Sequence, residues 1–183
     1  MKSKNFLMLI ISIFFFQIVS CNELPPQPQL VRQKTQLIAN PSFEEFGIPT
    51  LKEWSCPEAP LLKIQMVAPQ DGGFFSIFLK SREDGAFAST KVAAIPGSHV
   101  YKFSVWSKVT NLIAQAELYY IQNDSISLRK TISIKSKRWE QYIAYDTISA
   151  NKGDSLKVVL FGTLSSTPQP YTWFDLCKLE IDD

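Results

Sequence analysis

The side chains able to carry reactive chemistry are few: three cysteines, one histidine and 17 acidic residues in a chain of 183. The histidine, His99, lies beside the Pro96-Gly97 turn. No Ser–His–Asp or Cys–His arrangement and no glycine-rich phosphate loop can be assembled around these residues. Acid pairs such as Glu44-Glu45 and Glu83-Asp84 occur in any domain, whereas glycosidase chemistry needs two acids set across a cleft. The residues predict a non-catalytic protein.

Cys21 has the most informative surroundings of the three cysteines. Lys2 and Lys4 form a positive start, and Phe6 to Phe16 is a run of bulky apolar side chains. That run is shorter than the roughly 20 residues a transmembrane helix needs. A small residue, Ser20, precedes the cysteine. This three-part pattern predicts a secretory signal peptide over residues 1–20, cleaved immediately before Cys21.

The segment Ile18-Val19-Ser20-Cys21 resembles the lipobox of bacterial lipoproteins. That resemblance implies a diacylglycerol on the Cys21 sulfur and a further acyl chain on the new N terminus. Two or three chains hold a protein stably on a bilayer without spanning it. We therefore expect a lipid-anchored protein of the bacterial cell envelope, with the outer membrane favoured and its periplasmic and surface faces both open. The alternative is a secreted protein whose Cys21 merely follows the cut.

Residues 21–35 predict a flexible tether, because Pro25, Pro26, Pro28 and several glutamines cannot bury a face. Without Lys2 and Lys4, the 19 basic residues fall to 17, which balance the 17 acidic ones. No dense run of basic residues remains to follow a phosphate backbone. Nucleic acid is therefore not an expected partner.

Residues 36–183 alternate apolar and polar side chains in eight or nine short runs separated by turn signals, with no convincing helix. Val100–Val109 places Tyr101, Phe103 and Val105 on one face. Phe74–Lys80 is mostly apolar, which suits a strand buried on both faces or a sandwich core. The spacing predicts one all-β domain, an antiparallel β-sandwich of jelly-roll type.

Several segments of this domain resemble, in order, carbohydrate-binding modules with the galactose-binding-like jelly roll, the group that includes cellulose-, glucan- and xylan-binding modules. They are the opening segment Leu37–Glu45, the single Trp54, the strand Tyr101–Ser107 after Pro96-Gly97, Trp139 at a strand start and the closing segment Trp173–Glu180. The resemblance covers nearly the whole domain. It implies a galactose-binding-like fold that binds a polysaccharide or oligosaccharide.

The same resemblance implies a structural calcium ion between the opening acidic residue and the closing aspartate, here Glu44 and Asp175. Calcium prefers six to eight oxygen ligands, and two carboxylates with loop carbonyls and water supply that chemistry. The chain departs from the family pattern at Leu176 and Cys177, which replace an acid and a valine. The alternative is that both acids lie at strand ends on the surface.

Sugar binding by such modules uses flat aromatic faces against pyranose rings, with nearby polar groups bonding the hydroxyls. If their strands are neighbours in one sheet, the outward parity carries the candidate ligand-binding residues: Trp106, Glu117, Tyr119, Gln141 and Tyr145. A parity error of one residue would bury them all. Phe43, Phe103, Trp139 and Trp173 are expected in the core.

The two remaining cysteines have two alternatives, a Cys56–Cys177 disulfide or two small buried thiols. Cys177 shares strand parity with Trp173 and Leu179 and is expected to point inward. We expect a lipid-anchored, non-catalytic glycan-binding protein. The rival function is a structural or protein-interaction lipoprotein that uses the same sandwich within an envelope complex.

Overall fold

The computed structural model describes residues 34–57, 62–80, 86–163 and 171–182. The strands within these ranges are β1 (Glu44–Glu45), β2 (Ile48–Pro49), β3 (Leu62–Gln65), β4 (Ser76–Leu79), β5 (Phe87–Ala93), β6 (Gly97–Val109), β7 (Ala114–Gln122), β8 (Ser125–Ile134), β9 (Glu140–Ala150), β10 (Ser155–Phe161) and β11 (Thr172–Ile181). No helix in this part of the chain has the length and apolar character to cross a bilayer. The predicted signal peptide, Cys21 and the tether up to residue 33 lie outside the described residues.

Two antiparallel sheets face each other. One has the order β5-β10-β7-β8 and the other the order β3-β4-β11-β6-β9, while β1 and β2 form a separate small hairpin. Neighbouring strands in the sheets are often distant in sequence, as when β11 lies between β4 and β6. The prediction of an all-β, antiparallel jelly-roll sandwich is confirmed.

The core lies between the two sheets and follows the predicted alternation. Tyr101, Phe103 and Val105 of β6 are fully buried, and Ala116 and Leu118 of β7 approach them from the other sheet. Successive side chains of a strand point to opposite faces, so each strand contributes every second residue to this core. The polar residues between them lie on the outer faces.

Strand β4 is buried on both faces, as its mostly apolar character indicated. Ile77 and Leu79 point into the core. Phe78 points the other way, where the rings of Tyr171 and Trp173 cover it at centroid distances of 4.8 and 5.2 Å. Those aromatic neighbours replace the second layer that a strand apolar on both faces requires.

The opening segment forms less strand than expected. Gln36 makes an isolated bridge to Glu180, and the amide of Leu37 donates to the carbonyl of Leu179 at 2.8 Å. Pairing then stops, and Phe43 adopts a positive φ of 56°. A non-glycine residue in this left-handed region breaks the extended geometry that a ladder needs. Strand β3 and the β1–β2 hairpin were not predicted, because runs this short show too little alternation.

Strand β11 contains a bulge that changes the parity of its second half. Asp175 lies opposite Trp106 and Lys178 opposite Ser104, so β11 uses one residue more than β6 between these pairs. Leu176, inside the bulge, has φ +44°. Phe174 before the bulge and Cys177 after it both reach the core. Trp173 therefore lies on the outer face, and the expectation that it belongs to the core is wrong.

Neither described cysteine forms a disulfide. Cys177 is fully buried, as expected, and burial raises the pKa of its thiol strongly. Cys56 is half-buried, and its Sγ donates to the carbonyl of Phe87 at 3.1 Å. Burial also raises the pKa of the Cys56 thiol. Both described thiols are thus free, as in the second alternative, although Cys177 is buried and Cys56 only partly so.

Candidate functional site

The five predicted ligand-binding residues lie in two different sheets. Glu117 and Tyr119 belong to β7 in the four-stranded sheet, whereas Trp106 of β6 and Gln141 and Tyr145 of β9 belong to the five-stranded sheet. The chain crosses from one sheet to the other between β6 and β7, so their outward sides face opposite directions. The condition that all these strands are neighbours in one sheet is therefore not met, although β6 and β9 are neighbours.

The outer face of the four-stranded sheet brings Tyr119 together with aromatic residues from its neighbours. Tyr119 lies opposite Lys157 of β10, and the rings of Phe87 and Phe161 lie 6.1 Å apart on β5 and β10. These side chains surround a hollow of about 230 Å³ lined by Phe87, Tyr119, Ile126, Lys157, Val159 and Phe161. The hollow is mainly apolar, with an ammonium group and a phenol hydroxyl as polar groups.

The sequence predicts Glu117 on the surface, but the structure shows it buried. It is only 6% exposed, and the Tyr119 hydroxyl donates to its carboxylate. Val159 lies opposite Glu117 on β10. A buried carboxylate that accepts from a partly buried phenol restricts the rotation of that ring. Glu117 is thus placed to orient Tyr119 and has little surface of its own for a ligand.

A bulge between β7 and β8 adds an apolar rim to this face. The register shifts after Leu118–Lys130, so that Tyr119 lies opposite Leu128. Leu128 and Ile126 are 53% and 61% exposed. A second hollow of about 640 Å³, reaching to Trp54 and Lys91, shares Ile126 and Lys157 with the first. The two form one depression across the sheet.

Phe87, Val159 and Phe161 are the residues of this face that sequence reasoning missed. The alternation of residues along β10 could have identified two of them, because Leu156, Val158 and Leu160 are buried in the core. Alternation then places Val159 and Phe161 on the outside. Only the pairing of β5 with β10 brings Phe87 beside Phe161.

On the five-stranded sheet, two of the three predicted residues are directly paired across strands and the third lies farther along the sheet. Trp106 lies directly opposite Gln141, while Tyr145 lies opposite Lys102. The four-residue offset along β6 corresponds to about 13 Å. Tyr145 is half-exposed and neighbours the Lys102–Glu180 ion pair. Trp139, expected in the core, lies half-buried with the Lys108 ammonium 5.0 Å from its ring centroid.

Glu44 and Asp175 converge on two consecutive glycines. A Cβ on Gly72 would lie 2.1 Å from Oδ2 of Asp175, and one on Gly73 would lie 2.1 Å from Oε1 of Glu44. The two carboxylates are near enough for the charge of Glu44 to raise the pKa of Asp175. The amides of Phe74 and Phe75 donate to Oε2 of Glu44 at 2.9 and 3.1 Å. These bonds hold the glycine-containing loop against the opening hairpin.

Asp175 is fully buried, and its Oδ2 has no hydrogen-bond partner among the described residues. Burial raises the pKa of Asp175 to about 8, although the Leu176 amide that donates to Oδ1 works in the opposite direction. The nearby Glu44 carboxylate raises this pKa further. An unpartnered oxygen beside a second carboxylate suits a hard cation. Within the described ranges, no three or more His, Cys, Asp or Glu side chains are close enough together to hold a metal ion jointly, so other ligands would be carbonyls or water.

No protein-family model and no curated protein sequence matches this chain. Solved structures do match. A family 16 carbohydrate-binding module superposes with a TM-score of 0.59 at 18% identity, over 78% of this chain and 98% of that module. The module TmCBM61, in complex with β-1,4-galactotriose, gives 0.55 at 16% identity, over 81% of this chain and 99% of that one.

A third match is the CBM22-1 xylan-binding domain of Xyn10C from Paenibacillus barcinonensis. It gives a TM-score of 0.50 at 13% identity, over 81% of this chain and 95% of that domain. Identities this low establish the fold alone. Residues 34–182, as far as they are described, therefore have the jelly-roll sandwich that these carbohydrate-binding modules share.

Proposed function

We propose that this protein is a non-catalytic carbohydrate-binding module, held at the bacterial envelope by lipid on Cys21, and that it binds a glycan on the outer face of the four-stranded sheet. One observation carries the glycan site. The Tyr119 ring, oriented by the buried Glu117, lies in a hollow with Phe87, Phe161 and the Lys157 ammonium.

The chemistry of this face suits a neutral sugar chain. Ligand sites are concave and mostly apolar, with a few polar groups that orient the ligand. A pyranose ring offers an apolar C–H face to Tyr119 and the phenylalanines, and hydroxyls to Lys157. The depression continues toward Trp54 and Lys91, which favours a chain of several sugars over a monosaccharide. The β-1,4-galactotriose bound to one matched module, and the xylan for which another is named, are the first ligands to test.

The test is isothermal titration of the detergent-solubilised protein with β-1,4-galactan, xylan, β-glucan and mannan oligosaccharides. Tyr119→Ala should weaken binding about tenfold or more, since loss of one well-packed aromatic contact is worth about 1.4 kcal/mol or more. Tyr145→Ala is the matched control, because Tyr145 is half-exposed on the other sheet. Its affinity should equal that of the wild type.

Failure of the wild type to bind any of these glycans would overturn the proposal. That result, together with a co-purifying envelope protein, would favour the structural or protein-interaction role. An equal loss in the Tyr119 and Tyr145 variants would move the site off the four-stranded face.

The envelope anchor is supported by the leader pattern and by Cys21 itself. We expect mass spectrometry of the mature protein from the envelope fraction to find Cys21 at the N terminus, carrying two or three acyl chains. Cys21→Ser should leave the leader uncleaved and abolish acylation. An unmodified Cys21 in the mature wild-type protein would contradict the anchor.

We also propose a structural calcium ion between Glu44 and Asp175. The support is the unpartnered Oδ2 of buried Asp175 and the closeness of the two carboxylates across Gly72 and Gly73. The amide of Cys177 donates to the carbonyl of Pro41 at 2.8 Å, so the opening and closing segments already meet here. The ion would neutralise two carboxylates that otherwise repel each other and would join both ends of the domain.

A further inference from the structure

A second set of outward side chains crosses the five-stranded sheet at right angles to its strands. Lys63 lies opposite Phe78, Phe78 opposite Trp173, and Trp173 opposite Lys108. The Lys108 ammonium also lies over the ring of Trp139. We call these five residues the cross-sheet row. It contains two cations and three aromatic rings and lies on the opposite side of the molecule from Tyr119.

Lys108 is the unusual member of this row. Its Nζ lies 4.9 and 5.0 Å from the ring centroids of Trp173 and Trp139. The side chain is half-buried, and burial lowers the pKa of its ammonium. Each cation–π contact offsets only part of the lost hydration. The ion pairs found in the described part of the chain do not include Lys108.

Lys102 shows what the same strand does with an ordinary lysine. It lies six residues earlier on β6, on the same outer face, and its Nζ pairs with Oε2 of Glu180 at 3.7 Å. The sheet thus neutralises one cation with a carboxylate and leaves the other between two indoles. A half-buried charge without a counter-ion raises the free energy of the folded protein. An anionic group of a ligand that pairs with the charge would lower that cost.

The residues around Lys108 offer contacts to a larger ligand as well as to an anion. Oε1 of Gln65 accepts from Nε1 of Trp173 at 2.8 Å, which orients the indole. The amide nitrogen of Gln65 carries two N–H donors that can bond a hydroxyl or a carboxylate of a ligand. Tyr171 packs on Phe78 at 4.8 Å and stiffens the aromatic wall. Flat rings, amide donors and a cation together match a charged pyranose.

We propose that the cross-sheet row is a second glycan site, specific for a sugar that bears a carboxylate, such as a uronic acid. The carboxylate pairs with Nζ of Lys108, the pyranose ring packs on Trp139 or Trp173, and a hydroxyl accepts from Gln65. The site is separate from the four-stranded face and does not depend on it.

The test titrates the detergent-solubilised full chain with trigalacturonic acid and with its uncharged methyl ester. The buffer has low ionic strength and no calcium, so that a metal ion cannot bridge ligand and protein. The acid should bind at least tenfold more tightly than the ester. This preference should disappear in Lys108→Met, persist in Lys108→Arg, and weaken with added salt because the charge pair is screened.

Two matched variants separate this site from its surroundings. Lys102→Met removes a cation from the same strand and face and should leave the preference unchanged. Tyr119→Ala should also leave it unchanged, although it weakens neutral glycans, so failure of one site is distinguishable from failure of the other. Equal affinity for acid and ester in the wild type would overturn the proposal. So would an unchanged acid preference in a folded Lys108→Met, or acetate that competes as well as the uronate, which would indicate a simple anion site.

Discussion

Asp175 is the residue at which protonation and metal binding compete. Its pKa of about 8 in the folded protein lies above the value of about 3.9 expected in the unfolded chain. Between these values the folded state binds more protons, so the free energy of unfolding falls as the pH rises. Calcium binds the ionised carboxylate and should reverse this loss.

We therefore predict that, in EDTA, the protein loses thermal stability between pH 5 and pH 8. Calcium should restore it at pH 8, by about 2.7 kcal/mol at a hundredfold excess over its dissociation constant. For a domain of this size, each kcal/mol corresponds to about 2–4 °C in melting temperature. Thermal unfolding at both pH values, with EDTA and with calcium, measures the effect.

Asp175→Asn should lose both the decline with pH and the response to calcium. Glu45→Gln is the control, because the Glu45 carboxylate is exposed, lies beside Glu44 in the chain and forms an ion pair with Lys52 at 3.6 Å. A calcium response that survives in Asp175→Asn, or a wild type that responds at no calcium concentration, would contradict the proposed ion.

At the scale of single elements, the β11 bulge has the largest effect on the site. Asp175, just before the bulge, is buried beside Gly72, and the bulge changes the parity so that Cys177 and Leu179 reach the core. The left-handed conformation of Leu176 makes this possible. For a residue with a Cβ that conformation costs about 1–2 kcal/mol.

Leu176→Gly should therefore be neutral or stabilising, by up to about 1 kcal/mol, although glycine normally weakens a strand. Lys178→Gly, two residues later in regular geometry, is the matched control and should destabilise by about 0.5–1 kcal/mol. Urea unfolding compares the two variants. Equal destabilisation by both glycines would show that Leu176 is unstrained.

Over the whole molecule, stability depends on one core shared by both sheets. Leu118 of β7 is fully buried in that core, whereas Leu128, on the neighbouring strand β8, is 53% exposed on the outer face. Only the first leaves a cavity when truncated. The two leucines therefore separate core packing from surface effects within one sheet.

Leu118→Ala should lower the free energy of unfolding by about 2–5 kcal/mol, and Leu128→Ala by no more than about 0.5 kcal/mol. Urea titration followed by tryptophan fluorescence and by circular dichroism should give one coincident transition for each variant. Similar losses in both variants, or transitions that differ between the two probes, would argue against a single shared core.

The sequence by itself determined the strand class and much of the core. Tyr101, Phe103 and Leu118 could be assigned to the interior because one-sided burial leaves a period of two in the residues of each strand. Glu44 and Asp175 were brought together by resemblance to a family, and the structure places them across Gly72-Gly73. These features depend on the order of residues within short segments of the chain.

Only the tertiary structure decided which strands share a sheet and which face a residue takes after a bulge. It separated Tyr119 from Trp106 because β7 pairs with β10 and β6 with β9, pairings set by contacts between distant segments. It turned Trp173 outward because a single extra residue reverses parity for the rest of a strand. Neither effect leaves a local pattern, since both depend on hydrogen bonds between strands far apart in sequence.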